Sequence, residues 1–206
     1  MLMNENRNRL TEFCLKGKVV FLASNNIHKY QESKAVLSEF GIALGMLRVK
    51  GHEIQSESLK EIAQENAKDA FALCSLPIIV EDAGLFVDAL HGFPGPYAAY
   101  AYKTLGNAGI LKLMEDITNR KAKFQSAIAY CDSSLKDPIC FEGTSEGEII
   151  REERSGNGQS GFGFDPIFRP ERNRKTFAEM TIAEKNGFSH RADAIRKFAK
   201  WYKSLR

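Results

Sequence analysis

Apolar and polar positions alternate clearly from residue 18 onward, and their spacing marks the elements. Residues 18–23 (KVVFLA) form a short apolar run rich in β-formers, which predicts a strand. Ser24, Asn25 and Asn26 follow as a polar turn, and Ser33, Val36, Leu37 and Phe40 then fall on one face of a helix. A second strand is expected around residues 43–49, and residues 57–74 carry charged and apolar positions at helical spacing. Pro77 opens the run Ile78, Ile79, Val80, which stops at Glu81-Asp82-Ala83-Gly84, so a buried strand is expected to end in two carboxylates.

Residues 91–102 (HGFPGPYAAYAY) read as a loop punctuated by Gly and Pro, with a short helix over 107–116. Residues 123–130 and 139–150 alternate well enough to be longer antiparallel strands of a second lobe beginning near residue 120. Glu142-Gly143 and Glu146-Gly147 are expected to mark turns or bulges there. A polar, glycine-bearing loop spans 151–161, and the last helix places Ile195, Phe198, Ala199, Tyr202 and Leu205 on one face. Strands alternating with helices predict an α/β fold.

A chain of 206 residues with 43% hydrophobic residues can bury a substantial core. The expected organisation is a polar extension over residues 1–17 and a single domain over 18–206. The balance of 29 basic against 26 acidic residues gives no field that argues for nucleic acid or membrane as a partner. Cys14, Cys74, Cys131 and Cys140 include no C-x-x-C pair, which disfavours a zinc knuckle or redox dithiol; Cys74 and Cys131 sit in apolar runs as buried free thiols. Residues 1–17 lack the apolar stretch of a signal peptide and nothing later is long enough to span a bilayer, so a soluble, cytoplasmic protein is expected.

Polar groups just after strands of an open α/β sheet are the first places to look for chemistry. Ser24, Asn26 and Lys29 bring a hydroxyl, an amide and a cation to a helix N-terminus, which suits phosphate oxygens, although the G-x-x-x-x-G-K-[ST] spacing of a Walker loop is missing. From this motif alone a helix cap by Ser24 or Asn26 is the better reading. Glu81 and Asp82 would be costly to desolvate unless met by a cation, and magnesium suits such oxygen donors; the alternative is Asp82 capping a turn with Glu81 facing solvent. Glu53 can add a carboxylate from a neighbouring loop. Gly161-Phe162-Gly163-Phe164-Asp165-Pro166 offers backbone close to a ligand and aromatic faces for stacking, or two rings packed into the core. Ser189 can cap the last helix, with Lys185, His190 and Arg191 either in a site or on the surface.

The order and spacing of these motifs together resemble the inosine triphosphate pyrophosphatase family from Lys18 onward. The resemblance rests on Ser24-x-Asn26-x-x-Lys29, Glu53-Ile54-Gln55, Val80-Glu81-Asp82-Ala83-Gly84-Leu85 and Gly92-Phe93-Pro94-Gly95. It continues through Gly161-Phe162-Gly163-Phe164-Asp165-Pro166-Ile167-Phe168, Lys175-Thr176-Phe177-Ala178-Glu179-Met180, Glu184-Lys185-Asn186 and Ser189-His190-Arg191.

The resemblance implies an elongated, two-lobed mixed sheet flanked by helices, with the nucleotide in the cleft between lobes, a homodimer, and a magnesium requirement. It implies hydrolysis of non-standard purine triphosphates (ITP, dITP, XTP) to the monophosphate and pyrophosphate. Ser24, Asn25, Asn26, Ile27, His28 and Lys29 would hold the triphosphate with Ala83 nearby; Glu53, Asp82 and Glu81 would be metal-associated acids, and Asp82 the proton acceptor. Phe162 would stack on the base, with Gly163, Phe164, Asp165, Lys185, His190 and Arg191 around purine and sugar. Arg191, a pure donor, would pair with the 6-keto oxygen and oppose a 6-amino group. Ile27-His28 departs from the frequent Pro-Gly, Ser24 from threonine, Ala83 from serine, Ala192 from glycine, and Phe164 from tyrosine or tryptophan. The main rival is a purine-nucleotide sensor that binds without turnover.

Overall fold

The computed structural model describes residues 18–49, 54–156 and 161–205. Strand β1 (Val19–Ala23) leads into helix α1 (Ile27–Glu39), and β2 (Ala43–Leu47) returns parallel to β1. Helix α2 (Leu59–Cys74) carries the chain to β3 (Ile78–Val87), parallel to β1 on its other side, and the short β4 (Pro94–Gly95) folds back antiparallel on β3. Helix α3 (Ala98–Leu113) is followed by β5 (Lys121–Cys131) and β6 (Ile139–Ile149), and then by β7 (Phe168–Pro170), α4 (Ile182–Asn186) and α5 (His190–Ser204). The sheet order is β2-β1-β3-β5-β6-β7, with β4 beside β3. This is a mixed α/β fold, parallel at its β2 end and antiparallel beyond β3.

Helices cover both faces. On one face Val36 and Leu37 of α1 and Ile195, Phe198 and Ala199 of α5 pack with Val20, Leu22, Ile79 and Ile128. On the other, Ala63, Ala67 and Ala70 of α2 lie against Ile78, Val80, Ala127 and Ala129, small residues at helical spacing that let the helix approach closely. Alternation along the first half of β3 therefore puts Ile79 on the α1 and α5 side and Ile78 and Val80 on the α2 side, while Leu85 and Val87 farther along pack with Ala101 and Ile110 of α3.

Several elements differ from the sequence reading, each for a tertiary reason. Strand β3 does not stop at Val80: it continues through Glu81 and Asp82 because β5 pairs with it from Ile78↔Cys131 to Val87↔Ala122. The two antiparallel strands expected beyond residue 120 are present as β5 and β6, and they extend this same sheet. The last five residues of the expected 91–102 loop belong to α3, which starts at Ala98 and bends where Gly106 takes φ 64°. Gly143 and Gly147 make no turns; they sit within an unbroken β6. A Cβ on Gly143 would lie 2.2 Å from the carbonyl oxygen of His190, so bare backbone there lets the start of α5 rest on the sheet. Leu205 lies beyond α5 and is exposed, whereas Ile195, Phe198 and Ala199 form the expected buried face.

Two motif blocks exist for each other. A Cβ on Gly84 would meet the Gly95 carbonyl oxygen at 2.5 Å, so Gly92-Phe93-Pro94-Gly95 docks on the strand where the Glu81-Asp82 segment carries a glycine. Thr176 and Glu179 form a different local lock: the Glu179 carboxylate accepts the Thr176 N–H at 2.7 Å, and Phe177 packs in the core beside Phe124 and Phe168.

Candidate active site

A cleft of about 680 Å³ is bounded by the start of α1, the middle of β3, residues 96–102 at the start of α3, Phe124 of β5, the loop 162–165 and the first turn of α5. Asn26 caps α1, its Oδ1 accepting the N–H of His28 at 2.9 Å and of Lys29 at 3.3 Å. Ser24 Oγ in turn accepts the Asn26 N–H at 3.1 Å. Both polar residues thus shape the turn, and the positive end of a helix of 13 residues opens on the cleft.

Glu81 and Asp82 are neighbours in sequence but not in environment. Glu81 points to the α1 and α5 side, where its side chain is fully buried; the solvent-facing alternative is overturned because cations and a hydroxyl meet it there. Oε1 accepts from Ser126 Oγ at 2.6 Å and from Arg191 Nε at 3.1 Å, and Oε2 pairs with Lys29 Nζ at 2.8 Å. Burial pushes this carboxyl up, but Arg191 and Lys29 outweigh it and hold it well below the usual carboxylate range. Asp82 is half-buried on the opposite side of the strand and borders the cleft.

The network continues inward from Glu81. Arg191 Nη1 donates to Glu32 Oε2 at 2.5 Å, Lys185 Nζ meets Glu32 Oε1 and Asp165 Oδ2 at 2.7 Å each, and that Asp165 oxygen accepts the Phe162 N–H at 2.9 Å. Lys29, Arg191 and Lys185 thus alternate with Glu81, Glu32 and Asp165, three cations against three carboxylates. Burial pushes the Glu32 carboxyl up, yet Arg191 and Lys185 bring it below its ordinary value, whereas for Asp165 burial wins and the value is raised. Buried charges of this kind persist only when paired and hydrogen-bonded.

Aromatic rings line the other wall. Phe162 stacks on His28 with ring centroids 5.2 Å apart and planes within 13°, while Lys185 Nζ and Arg191 Cζ lie 4.9 and 5.4 Å from its centroid. Phe164 is buried, edge-on to Tyr102. The motif therefore divides, with Phe162 facing the cleft and Phe164 anchoring the loop. Its glycines serve the fold: Gly163 takes φ 62°, and a Cβ on Gly161 would meet Ala178 at 2.7 Å. His190 stacks on Phe124 at 4.8 Å. Burial, reinforced by the Arg191 charge, keeps its imidazole neutral, and Nδ1 finds no hydrogen-bond partner among the described residues.

The model of the Ham1 family matches residues 20–201. The chain belongs to this family. It is 48% identical over 187 residues to a dITP/XTP pyrophosphatase of Methanopyrus kandleri, covering 91% of this chain and 97% of that one. A dITP/XTP pyrophosphatase of Ignicoccus hospitalis is 49% identical over 188 residues, 89% of this chain and 96% of its own. Among solved structures, the Ham1 protein of Staphylococcus aureus superposes with a TM-score of 0.77 at 28% identity, covering 92% of this chain and all of that one. A HAM1 protein of Coxiella burnetii gives 0.77 at 30% identity over 91% of this chain and all of its own.

Within this Ham1 fold, the cleft gathers Asn25, Asn26, Ile27, His28 and Lys29 from α1, Asp82 and Ala83 from β3, and Phe162, Gly163, Phe164, Asp165, His190 and Arg191 from the far wall. Ser24, Glu81 and Lys185 are not part of the cleft wall; they hold its residues from behind. Glu53 lies outside the described residues. Sequence reasoning missed Glu32, Ser126, Tyr102 and Phe124. Glu32 had a legible signal, an acid beside Ser33 and four residues before Val36 on the face expected to be buried. Ser126 and Phe124 had none, because only the β3–β5 register brings them beside Ala83 and Leu85.

Proposed function

We propose that this chain is a nucleoside-triphosphate pyrophosphatase that converts non-standard purine triphosphates, of the inosine and xanthosine type, to monophosphate and pyrophosphate. Family membership supports the hydrolase class, as do relatives named dITP/XTP pyrophosphatases. One observation carries the reading: a single cleft unites a helix N-terminus, the Asp82 carboxylate, and an aromatic wall backed by Arg191. Those are the groups needed for a polyphosphate, a water and a base.

In this reading the polyphosphate lies at the start of α1, within reach of Lys29, and the purine takes the face of Phe162 that the His28 ring covers, displacing it. A water oxygen attacks the α-phosphorus as the bond to the bridging oxygen breaks; pyrophosphate leaves with that electron pair, and Asp82 accepts the water proton. Arg191, held at Nε and Nη1 by Glu81 and Glu32, retains further N–H donors for a 6-keto oxygen. A 6-amino group would face these donors with its own, which a buried site rejects. Neutral His190 supplies a further polar contact with nothing on Nδ1 to displace.

Magnesium belongs to the proposal. Among the described residues no three His, Cys, Asp or Glu side chains converge on one point, so Asp82 would hold the ion together with substrate phosphates and, by the family resemblance, Glu53. Glu81 is a poorer donor, since both its oxygens are already engaged by Ser126, Arg191 and Lys29. When bound, the ion would neutralise charge on the phosphates. A cytoplasmic homodimer is also part of the reading, and no described helix is long and apolar enough to cross a membrane.

The test is pyrophosphate release from ITP, XTP, ATP, GTP and CTP, with magnesium or EDTA, for wild type beside Asp82→Asn. Magnesium-dependent turnover of ITP and XTP that is lost in the variant is the expected result. Binding without turnover would favour a nucleotide sensor, and preference for CTP would overturn the base assignment.

A further inference from the structure

Lys29, at the start of α1, places its charge on the same carboxylate that holds Arg191 beside the base wall. Its Nζ lies 2.8 Å from Glu81 Oε2 and also donates to the Glu81 carbonyl oxygen at 3.0 Å. The other oxygen of the same carboxylate accepts Arg191 Nε at 3.1 Å. The Lys29 side chain keeps 20% of its exposure, whereas those of Glu81, Arg191, Glu32, Lys185 and Asp165 keep 4% or less. The solvent-facing end of the chain of charges is thus the end a polyphosphate would reach.

Resting on the function proposed above, we propose that Glu81 is a positioning residue that couples polyphosphate binding to base selection. A polyphosphate that draws the Lys29 ammonium toward itself removes one of the two cations Glu81 shares. Arg191 is then the remaining cation on Glu81, both side chains being almost fully buried, and it is relieved of the like-charge repulsion from the Lys29 ammonium that shared the carboxylate. The guanidinium is fixed at Nε and Nη1, and its other donors are aimed at the base. Without phosphates on Lys29 the guanidinium is held less firmly, and a wrong base is rejected less strongly. Coupling between two sites is reciprocal, so a 6-keto base should in turn tighten the hold on the polyphosphate.

The experiment compares discrimination at two phosphate counts. Calorimetric affinities of wild type for IMP and AMP give the base preference with little load on Lys29; those for ITP and ATP, in calcium to suppress turnover, give it with Lys29 engaged. The triphosphate preference should exceed the monophosphate preference by about fivefold or more, the usual range of such couplings. In Glu81→Gln, which keeps the shape and loses the charge, the two preferences should become equal while Asp82 and the α1 cap are untouched. Equal preferences already in wild type would overturn the proposal, as would a Glu81→Gln protein weakened equally toward all four nucleotides. If Glu81→Gln does not fold, the wild-type comparison decides alone. Absence of pyrophosphate release from any purine triphosphate would sink the proposed function, and the affinities would still decide the coupling.

Discussion

Asp165 holds the backbone of Phe162 and the ammonium of Lys185 with one oxygen, at 2.9 and 2.7 Å. The stacking ring is therefore fixed by an ion pair buried beneath it. Lys185→Met would leave Glu32 and Asp165 facing each other without their shared cation, and removal of one partner from a buried pair costs about 3–5 kcal/mol. Chemical denaturation should show that loss, together with a raised KM. An unchanged midpoint would mean that the network contributes nothing to the fold.

His28 stands where its family resemblance would put glycine, and it stacks on the ring assigned to the base. A pair with centroids 5.2 Å apart has no room for a third plane between them. His28→Ala should free that face, and since aromatic pairs are worth about 0.5–1.5 kcal/mol, affinity for IMP should rise roughly twofold to tenfold. Weaker binding would show instead that His28 helps to hold the nucleotide.

These two contacts also indicate where the sequence was readable. The strands and helices from β1 to α2, the two antiparallel strands β5 and β6, and the Ser189 cap of α5 were visible in periodicity and capping residues alone. Most cleft residues were visible as polar or glycine-rich punctuation. Glu81, Lys185 and Glu32 were harder, because pairing across 52 to 159 residues decides whether a charged side chain faces solvent, a ligand or another charge. The length of β3 was misread for a related reason: the ladder to β5 makes two acids tolerable in mid-strand, and no local propensity reveals a ladder.

His190 is kept neutral, its folded-state value lying well below the ordinary 6.5. The unfolded chain takes up the proton first as the pH falls, so this contribution to stability is complete above 6.5 and declines from there toward the folded value. The slope should reach up to about 1.4 kcal/mol per pH unit. His190→Asn should flatten unfolding free energy between pH 7 and 5; an unchanged slope would assign the titration to another group.

Gly143 sets the height of the first turn of α5 above the sheet. Alanine there would press on the His190 carbonyl oxygen and on Ala194 N, at 2.2 and 2.5 Å. Backbone cannot rotate away as a side chain can, so Gly143→Ala should cost at least about 1–3 kcal/mol. It should also displace His190 and Arg191 together, lowering kcat/KM for ITP beyond what the stability loss explains. Wild-type activity and midpoint would show that α5 can lift freely.

The adjacent acids of β3 point to opposite faces of the strand, Glu81 into the charge network and Asp82 to the edge of the cleft. Were β3 to slip by a single residue against β5, the two would exchange compartments, since the side-chain period of a strand is two. The sequence, its net charge and its hydropathy would be identical, and a different acid would border the cleft. The ladder from Ile78↔Cys131 to Val87↔Ala122 thus acts as a ruler, and which acid borders the cleft is a property of alignment as much as of residue type.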